Sequence, residues 1–190
     1  MRGLGGLVLA AGLGAAQSVA AQALDGGAAR DALFAPKGSS VAIVRGVLPE
    51  DQAELLAGVA AGQAYYGAIA VSPDEGLMSE ATVAAVNHHS IEAAAVAAAR
   101  DCNARKKGKA DCVVAALIRP RGYEEGRALQ LSALATEAFR ADYGRSGARA
   151  LAASPATGAF GLGKGEGAAE AALADCAKAG ATDCAVVVAD

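Results

Sequence analysis

Apolar runs alternate with turn residues along the chain, and one such arrangement occurs twice. Both copies, Ala68–Gly76 and Ala150–Gly158, are apolar runs that end in Ser-Pro, with a glycine three residues after the proline. Each is followed by an alanine-rich stretch, a pair of cysteines and a valine-rich run. This pattern predicts a duplicated unit with the order strand–strand–helix–strand.

Turn and cap residues set the expected bounds of these elements. Proline presets φ and glycine accepts positive φ, so each Ser-Pro stretch is a turn between two strands. Ser90 is a typical N-cap for the first helix, which runs to about Cys102. The first unit is predicted to have strands at 67–71, 81–86 and 112–118, and the second unit strands at 150–153, 159–163 and 184–188 with a helix at 168–178.

The segments outside the two units carry weaker patterns. The run at 40–44 is rich in β-branched residues and predicts a strand, and Pro49 opens a helix. Leu129 and Leu131 alternate with polar neighbours, which indicates an edge strand, and Ser132 caps a helix through about Tyr143. The apolar face of the helix after Pro49 is expected to consist of Ala53, Leu55, Leu56 and Val59.

The element order implies an α+β fold with a mostly antiparallel sheet, helices on one face and a pseudo-twofold relation between the units. We divide the chain into a signal peptide (1–23), an N-terminal strand and helix segment (24–65), a first repeat (66–120), a connector helix (121–148) and a second repeat (149–190). The two repeats are expected to form one compact domain.

The N-terminus has the features of a signal peptide. Arg2 supplies a positive charge, an apolar run extends from Leu4 to about Ala16, and Ala21-Gln22-Ala23 has the small-x-small form of a cleavage site. The run is too short and glycine-rich to span a bilayer well. We therefore expect export to the periplasm or the extracellular space, and no membrane span in the mature chain.

Composition limits the function classes. The chain is 54% hydrophobic but only 4% aromatic, with a net charge of -3. A small acidic excess provides no basic surface for nucleic acid, so no nucleic-acid partner is expected.

The four cysteines predict two disulfides, because an exported chain with an even cysteine count favours them. Four cysteines allow three pairings, and the repeat favours Cys102–Cys112 with Cys176–Cys184, since local pairing places the same bridge in each unit. Each bridge is worth about 2–3 kcal/mol in the chain-entropy model. A four-cysteine zinc site is the alternative, but zinc sites usually bring two cysteines separated by only a few residues.

Other candidates for chemistry are weak. His88 and His89 are the only histidines, and neighbours on a strand point to opposite faces, so we expect no metal site there. The glycine run 158–165 mimics a phosphate loop, but Gly165 stands where Ser or Thr would ligate magnesium. We interpret this run as a strand lying close to another backbone and expect no cofactor.

No nucleophile with an adjacent base is apparent. Ser72 and Ser154 recur before proline in the two turns, which suits a capping role. An aspartate precedes each cysteine, and hydrogen bonding to free backbone N–H groups explains it. These aspartates are Asp101, Asp111, Asp175 and Asp183.

These motifs resemble a small secreted bacterial domain of unknown function. The first unit carries the resemblance through Tyr66-Gly-Ala-Ile-Ala70, the Ser-Pro turn, the helix and the Cys-Val-Val ending; the second has Arg149 in place of the Tyr-Gly. The resemblance covers about two-thirds of the mature chain in two copies. It implies export and a disulfide-stapled α+β unit, and it brings no catalytic residues.

The whole chain also resembles alphaproteobacterial chains that carry the name 5-aminolevulinic acid synthase. That activity needs a far larger pyridoxal-phosphate fold with a Schiff-base lysine. Because the mature chain has only about 167 residues and is predicted to be exported, we expect it to lack the activity.

Two hypotheses for function follow. The first is a non-enzymatic module that binds an envelope or extracellular protein or peptide through a sheet face or loops, with Tyr65, Tyr66 and the 103–110 loop as contact candidates. The second is a small-ligand-binding or catalytic protein with a site where the two repeats meet, using His88, Glu80 or Tyr143. A deep pocket with convergent polar groups favours the second hypothesis, and a filled seam favours the first.

Overall fold

The computed structural model describes residues 23–190, so the predicted signal peptide lies outside the described residues apart from Ala23. Within this range the helices are α1 (Gly26–Ala32), α2 (Glu50–Ala60), α3 (Ile91–Arg105), α4 (Ala133–Asp142) and α5 (Ala168–Ala177). The strands are β1 (Ser39–Ile43), β2 (Gly67–Val71), β3 (Val83–Ala85), β4 (Val113–Pro120), β5 (Arg149–Ala153), β6 (Phe160–Lys164) and β7 (Ala185–Ala189).

The strands form two antiparallel sheets, which confirms the α+β class. One sheet has the order β1-β4-β2-β3 and the other the order β6-β5-β7. In each sheet the first strand of a predicted unit, β2 or β5, lies between the other two strands of that unit. The ladder shifts register between Ile69 and Ala70 in one sheet and between Leu151 and Ala152 in the other, which are equivalent positions of the two runs.

Serine caps define two of the helices, as the sequence predicts. The Ser90 hydroxyl accepts a hydrogen bond from the Ala93 N–H at 3.1 Å, and the Ser132 hydroxyl accepts one from the Ala135 N–H at 3.1 Å. Each bond satisfies one of the N–H groups that the first helical turn leaves free.

Each sheet has helices on both faces. Ala68 and Ala70 of β2 pack against α3, while Ile69 and Val71 point to the opposite face, where α2 covers part of the sheet. On the second sheet α5 covers one face, and α1 and α4 cover the other. The predicted single helical layer therefore describes only α3 and α5, because successive residues of the central strands β2 and β5 are apolar and both faces of each sheet need cover.

The glycine run at 158–165 contains β6, and its glycines touch the backbone of α5. A Cβ atom at Gly163 would overlap the carbonyl oxygen of Ala168, and one at Gly161 would overlap the carbonyl oxygen of Ala172. The interpretation of this run as a strand in close contact with another backbone is confirmed.

Two expected features differ from the structure. Leu129 and Leu131 are buried beneath α4 but form no strand, so their alternation reflects two side chains inserted into the core from an extended segment. In α2 the buried residues are Leu56 and Ala60, whereas Leu55 and Val59, which were expected on the same apolar face, are exposed.

The disulfides join Cys102 to Cys112 and Cys176 to Cys184, the pairing that the repeat favours. Each bridge connects the last turns of a helix to the residue just before the closing strand of the same unit. Over residues 23–190 no helix is long and apolar enough to cross a membrane.

Candidate functional site

The two units meet along a seam in which His89 is the central polar residue. His89 is only 5% exposed; its Nε2 lies 2.8 Å from the carbonyl oxygen of Ala159, and its Nδ1 accepts the Ser132 N–H at 2.9 Å. This pattern requires a neutral ring with its proton on Nε2. Burial lowers the pKa of His89, which favours the same neutral form.

The rest of the seam is closely packed. The Asn87 side-chain oxygen accepts the N–H of Leu134 at 3.1 Å, and the Asn87 carbonyl approaches Gly158 so closely that a Cβ there would overlap it. His88 is half-buried, and its Nδ1 lies 3.2 Å from the carbonyl oxygen of Val86 in the same unit. His88 and His89 therefore do not converge on one point.

A cavity of about 330 Å³ lies beside this seam. It is lined by both units and the connector, through His89, Ser90, Gln130, Ala153, Pro155, Ala185 and Val187. The side chains of His89 and Ser90 are already used, one by Ala159 and Ser132 and the other as a helix cap. The wall thus offers mostly apolar surface and no free imidazole nitrogen that could act as a base or a ligand.

The other predicted chemistry is not assembled in the described part of the chain. No group of three or more His, Cys, Asp or Glu residues within 23–190 could hold a metal ion. The Glu80 side chain is exposed and lies 3.6 Å from Lys107, and Tyr143 is buried in the core of the second sheet, so neither reaches the seam cavity.

Tyr65 and Tyr66 lie in the interior, so the structure does not place them at a surface where a partner could touch them. They are 2% and 1% exposed, and their rings meet edge-on with centroids 5.3 Å apart. Within residues 23–190 neither hydroxyl has a hydrogen-bond partner. Burial raises the pKa of both phenols, so they stay protonated.

The lysine-rich loop of the first unit is held by acidic residues of the Ser-Pro turn. Glu75 accepts the N–H groups of Lys107 and Gly108 at 2.9 and 3.0 Å, and these bonds lower its pKa. Asp74 accepts the next two N–H groups, at 2.7 and 2.8 Å. In the second unit the donor and acceptor segments are exchanged: the turn donates from the Ser154 hydroxyl and the Ala156 N–H, and Asp183 of the loop accepts both hydrogen bonds. These contacts give the acids a structural role.

An apolar groove lies on the half of the first sheet that α2 leaves uncovered. This apolar groove has a volume of about 360 Å³ and lies between α2, β3 and the loop before β3. Leu56, Ile69 and Leu77 form its floor. Leu55, Val59 and Met78 form its walls and are 55%, 57% and 86% exposed.

Sequence reasoning did not identify this groove. Leu55, Leu56 and Val59 lie within about 100° of one another around α2, which is the width of one buried stripe, so no local pattern marks any of them as exposed. The contribution of Met78 depends on the fold of the turn and could not be read from a local pattern.

Comparison with protein-family models, with curated proteins and with solved structures finds no match for this chain.

Proposed function

We propose that the chain is an exported, non-enzymatic binding module that holds an apolar, basic segment of an envelope or extracellular polypeptide in the apolar groove. The observation that carries this proposal is the exposure of Leu55, Val59 and Met78 around a preformed apolar floor. A contiguous apolar surface of this kind on a folded domain marks an interaction site.

The charge around the groove supports a basic partner. The helix α2, which forms one wall of the groove, carries Glu50, Asp51 and Glu54 and no lysine or arginine. Among the described residues the three acids of α2 form no ion pair, and Asp51 lies one turn from Leu55 on the same helix face. Complementary charge steers association and selects partners, so lysine or arginine flanking the apolar anchor is expected.

A non-enzymatic role is supported by how the polar groups of the seam are used. His89 has no free ring nitrogen, and no lysine lines the seam cavity or the groove. A pyridoxal-phosphate reaction such as 5-aminolevulinate synthesis has no Schiff-base position in either place.

Export and duplication belong to the same proposal. The two disulfides suit an oxidising compartment and agree with the signal-peptide pattern. The shared strand order, the equivalent register shifts and the equivalent bridges support two units that arose by duplication. On this basis the groove is a specialisation of the first unit, because α2 covers only part of its sheet face, whereas α1 and α4 both pack on the equivalent face of the second sheet.

The test is an NMR titration of the mature protein with two synthetic peptides of equal length, one alternating leucine with lysine and the other leucine with glutamate. We expect saturable shifts of the Leu55, Ile69 and Met78 signals with the basic peptide only. A Leu55→Ser/Met78→Ser variant should weaken binding about tenfold or more, since burial of two large side chains is lost.

Leu134→Ser is the matched control, because Leu134 is a helical leucine with 56% exposure outside the groove. Binding should be unchanged in this variant. Equal weakening by Leu134→Ser, or equal binding of the acidic peptide, would contradict the proposal. A concentration-dependent dimer that Leu55→Ser abolishes would assign the groove to a second copy instead.

A second candidate is the binding of a small apolar ligand in the seam cavity, which is favoured by its volume of about 330 Å³ and its contributions from both units. Ala185→Phe should fill the cavity and abolish binding of small aromatic probe compounds detected by NMR. Probe binding that Ala185→Phe leaves unchanged would exclude this site.

A further inference from the structure

Another cavity, separate from the seam cavity and the apolar groove, is lined by three arginines. It has a volume of about 360 Å³ and lies between the start of α1 and the loop that joins α4 to β5. Its walls are Gly26, Gly27, Arg30, Gly144, Arg145 and Arg149. We call it the arginine cavity.

Two of the three guanidinium groups are held in place by the protein. Arg30 donates from Nη2 to the carbonyl oxygen of Gly144 at 2.9 Å and lies over the Phe139 ring, 5.0 Å from its centroid. Arg149 donates to the carbonyl oxygen of Gly147 at 2.9 Å and pairs with Asp190 at 3.0 Å, with only 13% of its side chain exposed. Their positions are therefore set before any ligand arrives, which reduces the entropy cost of binding.

N–H donors outnumber acceptors in this cavity. Each guanidinium has five N–H groups, yet Arg145 makes no hydrogen bond or ion pair within residues 23–190, and Arg149 Nε is buried without a partner. The nearby carboxylate of Asp190 already accepts from Gly26, Tyr143 and Arg149. A surplus of cationic donors in a semi-enclosed space suits a ligand with several anionic oxygens.

The local charge contrasts with that of the whole chain. The protein carries a net charge of -3, but three cations border this one cavity. Asp190 pairs with Arg149, and Asp25 accepts the N–H of Ala28 at 2.8 Å as the cap of α1, so neither carboxylate forms an ion pair with Arg30 or Arg145. Two cations, Arg30 and Arg145, are therefore without a carboxylate partner in the described residues.

We propose that the arginine cavity binds a phosphate-class oxyanion, either free phosphate or the phosphate of a lipid headgroup. Arg145 and Arg30 supply the ligating N–H groups, and Arg149 provides a fixed positive wall. Planar guanidinium forks match tetrahedral oxyanions through paired hydrogen bonds, which lysine cannot reproduce. This site is independent of the apolar groove and does not rest on the function proposed for it.

The test measures binding of inorganic phosphate to the mature protein at low ionic strength, where exposed charges are least screened. We expect saturable amide shifts at Gly27, Gly144 and Arg145. Arg145→Gln, which removes no contact of the folded protein, should weaken binding about tenfold or more, and Arg30→Gln should do the same. Arg121→Gln removes an equal charge from an exposed loop position and should have no effect.

Flotation with vesicles distinguishes the two sources. Vesicles with an anionic phosphatidylglycerol fraction should capture the protein only if a lipid phosphate is the ligand, and neutral phosphatidylcholine vesicles serve as their control. Saturable binding to phosphate or to the anionic vesicles, lost in Arg145→Gln and kept in Arg121→Gln, supports the site. Absence of both, or an equal loss in Arg121→Gln, overturns it.

Discussion

At the residue scale, His89 couples the protonation state of one side chain to the contact between the two units. Its Nδ1 accepts a backbone N–H, so a second proton on the ring would face the Ser132 N–H donor at 2.9 Å. The charged groups that act on it are His88, which lowers its pKa, and Asp183, which raises it, and both effects are weaker than burial. The seam is therefore most stable when His89 is neutral.

This coupling predicts a loss of stability in mild acid. In the unfolded chain the histidine pKa is near 6.5, and in the folded chain it is lower. Below about pH 6.5 the unfolded state binds the proton first, so the free energy of unfolding falls until the pH reaches the lowered folded-state pKa. Urea denaturation between about pH 5 and pH 8 measures this slope, above the range in which carboxylates take up protons.

Two variants isolate the contribution of His89. His89→Phe removes the titration and leaves the Ser132 N–H without its partner, while the Ala159 carbonyl oxygen keeps the hydrogen bond from the Ser154 N–H. It should therefore cost roughly 1–3 kcal/mol at neutral pH and flatten the acid slope. His88→Gln should retain the slope, because the His88 ring is only half-buried and its hydrogen bond is to Val86 of its own unit. A slope that survives in His89→Phe would contradict the assignment.

At the element scale, the contact between β6 and α5 depends on the absence of side chains. Gly163→Ala would place a Cβ against the Ala168 carbonyl oxygen and the Ala172 nitrogen, which are backbone atoms that cannot rotate away. We expect a loss of about 3 kcal/mol or more in the free energy of unfolding, measured by urea denaturation.

Gly58→Ala is the control for this substitution. Gly58 lies inside α2 with nothing near its Cβ position, so alanine there should stabilise the protein by about 0.5–1 kcal/mol. If both substitutions had the same sign, the close packing of β6 on α5 would not be the cause of the loss at Gly163.

The elements themselves were largely predictable because their boundaries carry strong local chemistry. Ser90 and Ser132 cap helices, and the Ser-Pro turns with a following glycine separate strands. Both effects depend on neighbouring residues and not on the tertiary fold. The direction in which α2 faces was not predictable, since Leu55 and Leu56 are equally apolar and only the position of the sheet decides which is buried. Leu129 and Leu131 could not be assigned from local sequence either. Their alternation with polar neighbours predicts a strand, but the segment enters the core without pairing with any strand of the described residues.

The candidate sites were harder to predict because they are assembled from distant residues. Arg30 and Arg149 line one cavity only after α1 packs beside the loop following α4, and nothing local marks either as a site residue. Tyr65 and Tyr66 looked like surface contacts because tyrosines often bridge an apolar interior and water, yet here both rings are enclosed. The sequence marks His89 only as one of two adjacent histidines, and its two backbone partners come from segments far along the chain.

At the scale of the whole molecule, the two disulfides account for a large share of the stability. They span sequence separations of 10 and 8, so each should contribute about 2.5 kcal/mol by restricting the unfolded chain, and together about 5 kcal/mol. A domain of ordinary size has only about 5–15 kcal/mol in total. Its alanine-rich core buries few large side chains, which places it towards the lower end of that range.

We therefore expect the chain to fold stably only where the disulfides form. Reductant should lower the free energy of unfolding of the purified protein by about 5 kcal/mol, and the Cys102→Ser/Cys112→Ser and Cys176→Ser/Cys184→Ser variants should each lose about half of that. Intact mass with and without reductant should differ by four hydrogens if both bridges are present in the protein as isolated. A shift below about 1 kcal/mol would show that packing alone holds the two units, and it would remove the physical reason for an oxidising compartment.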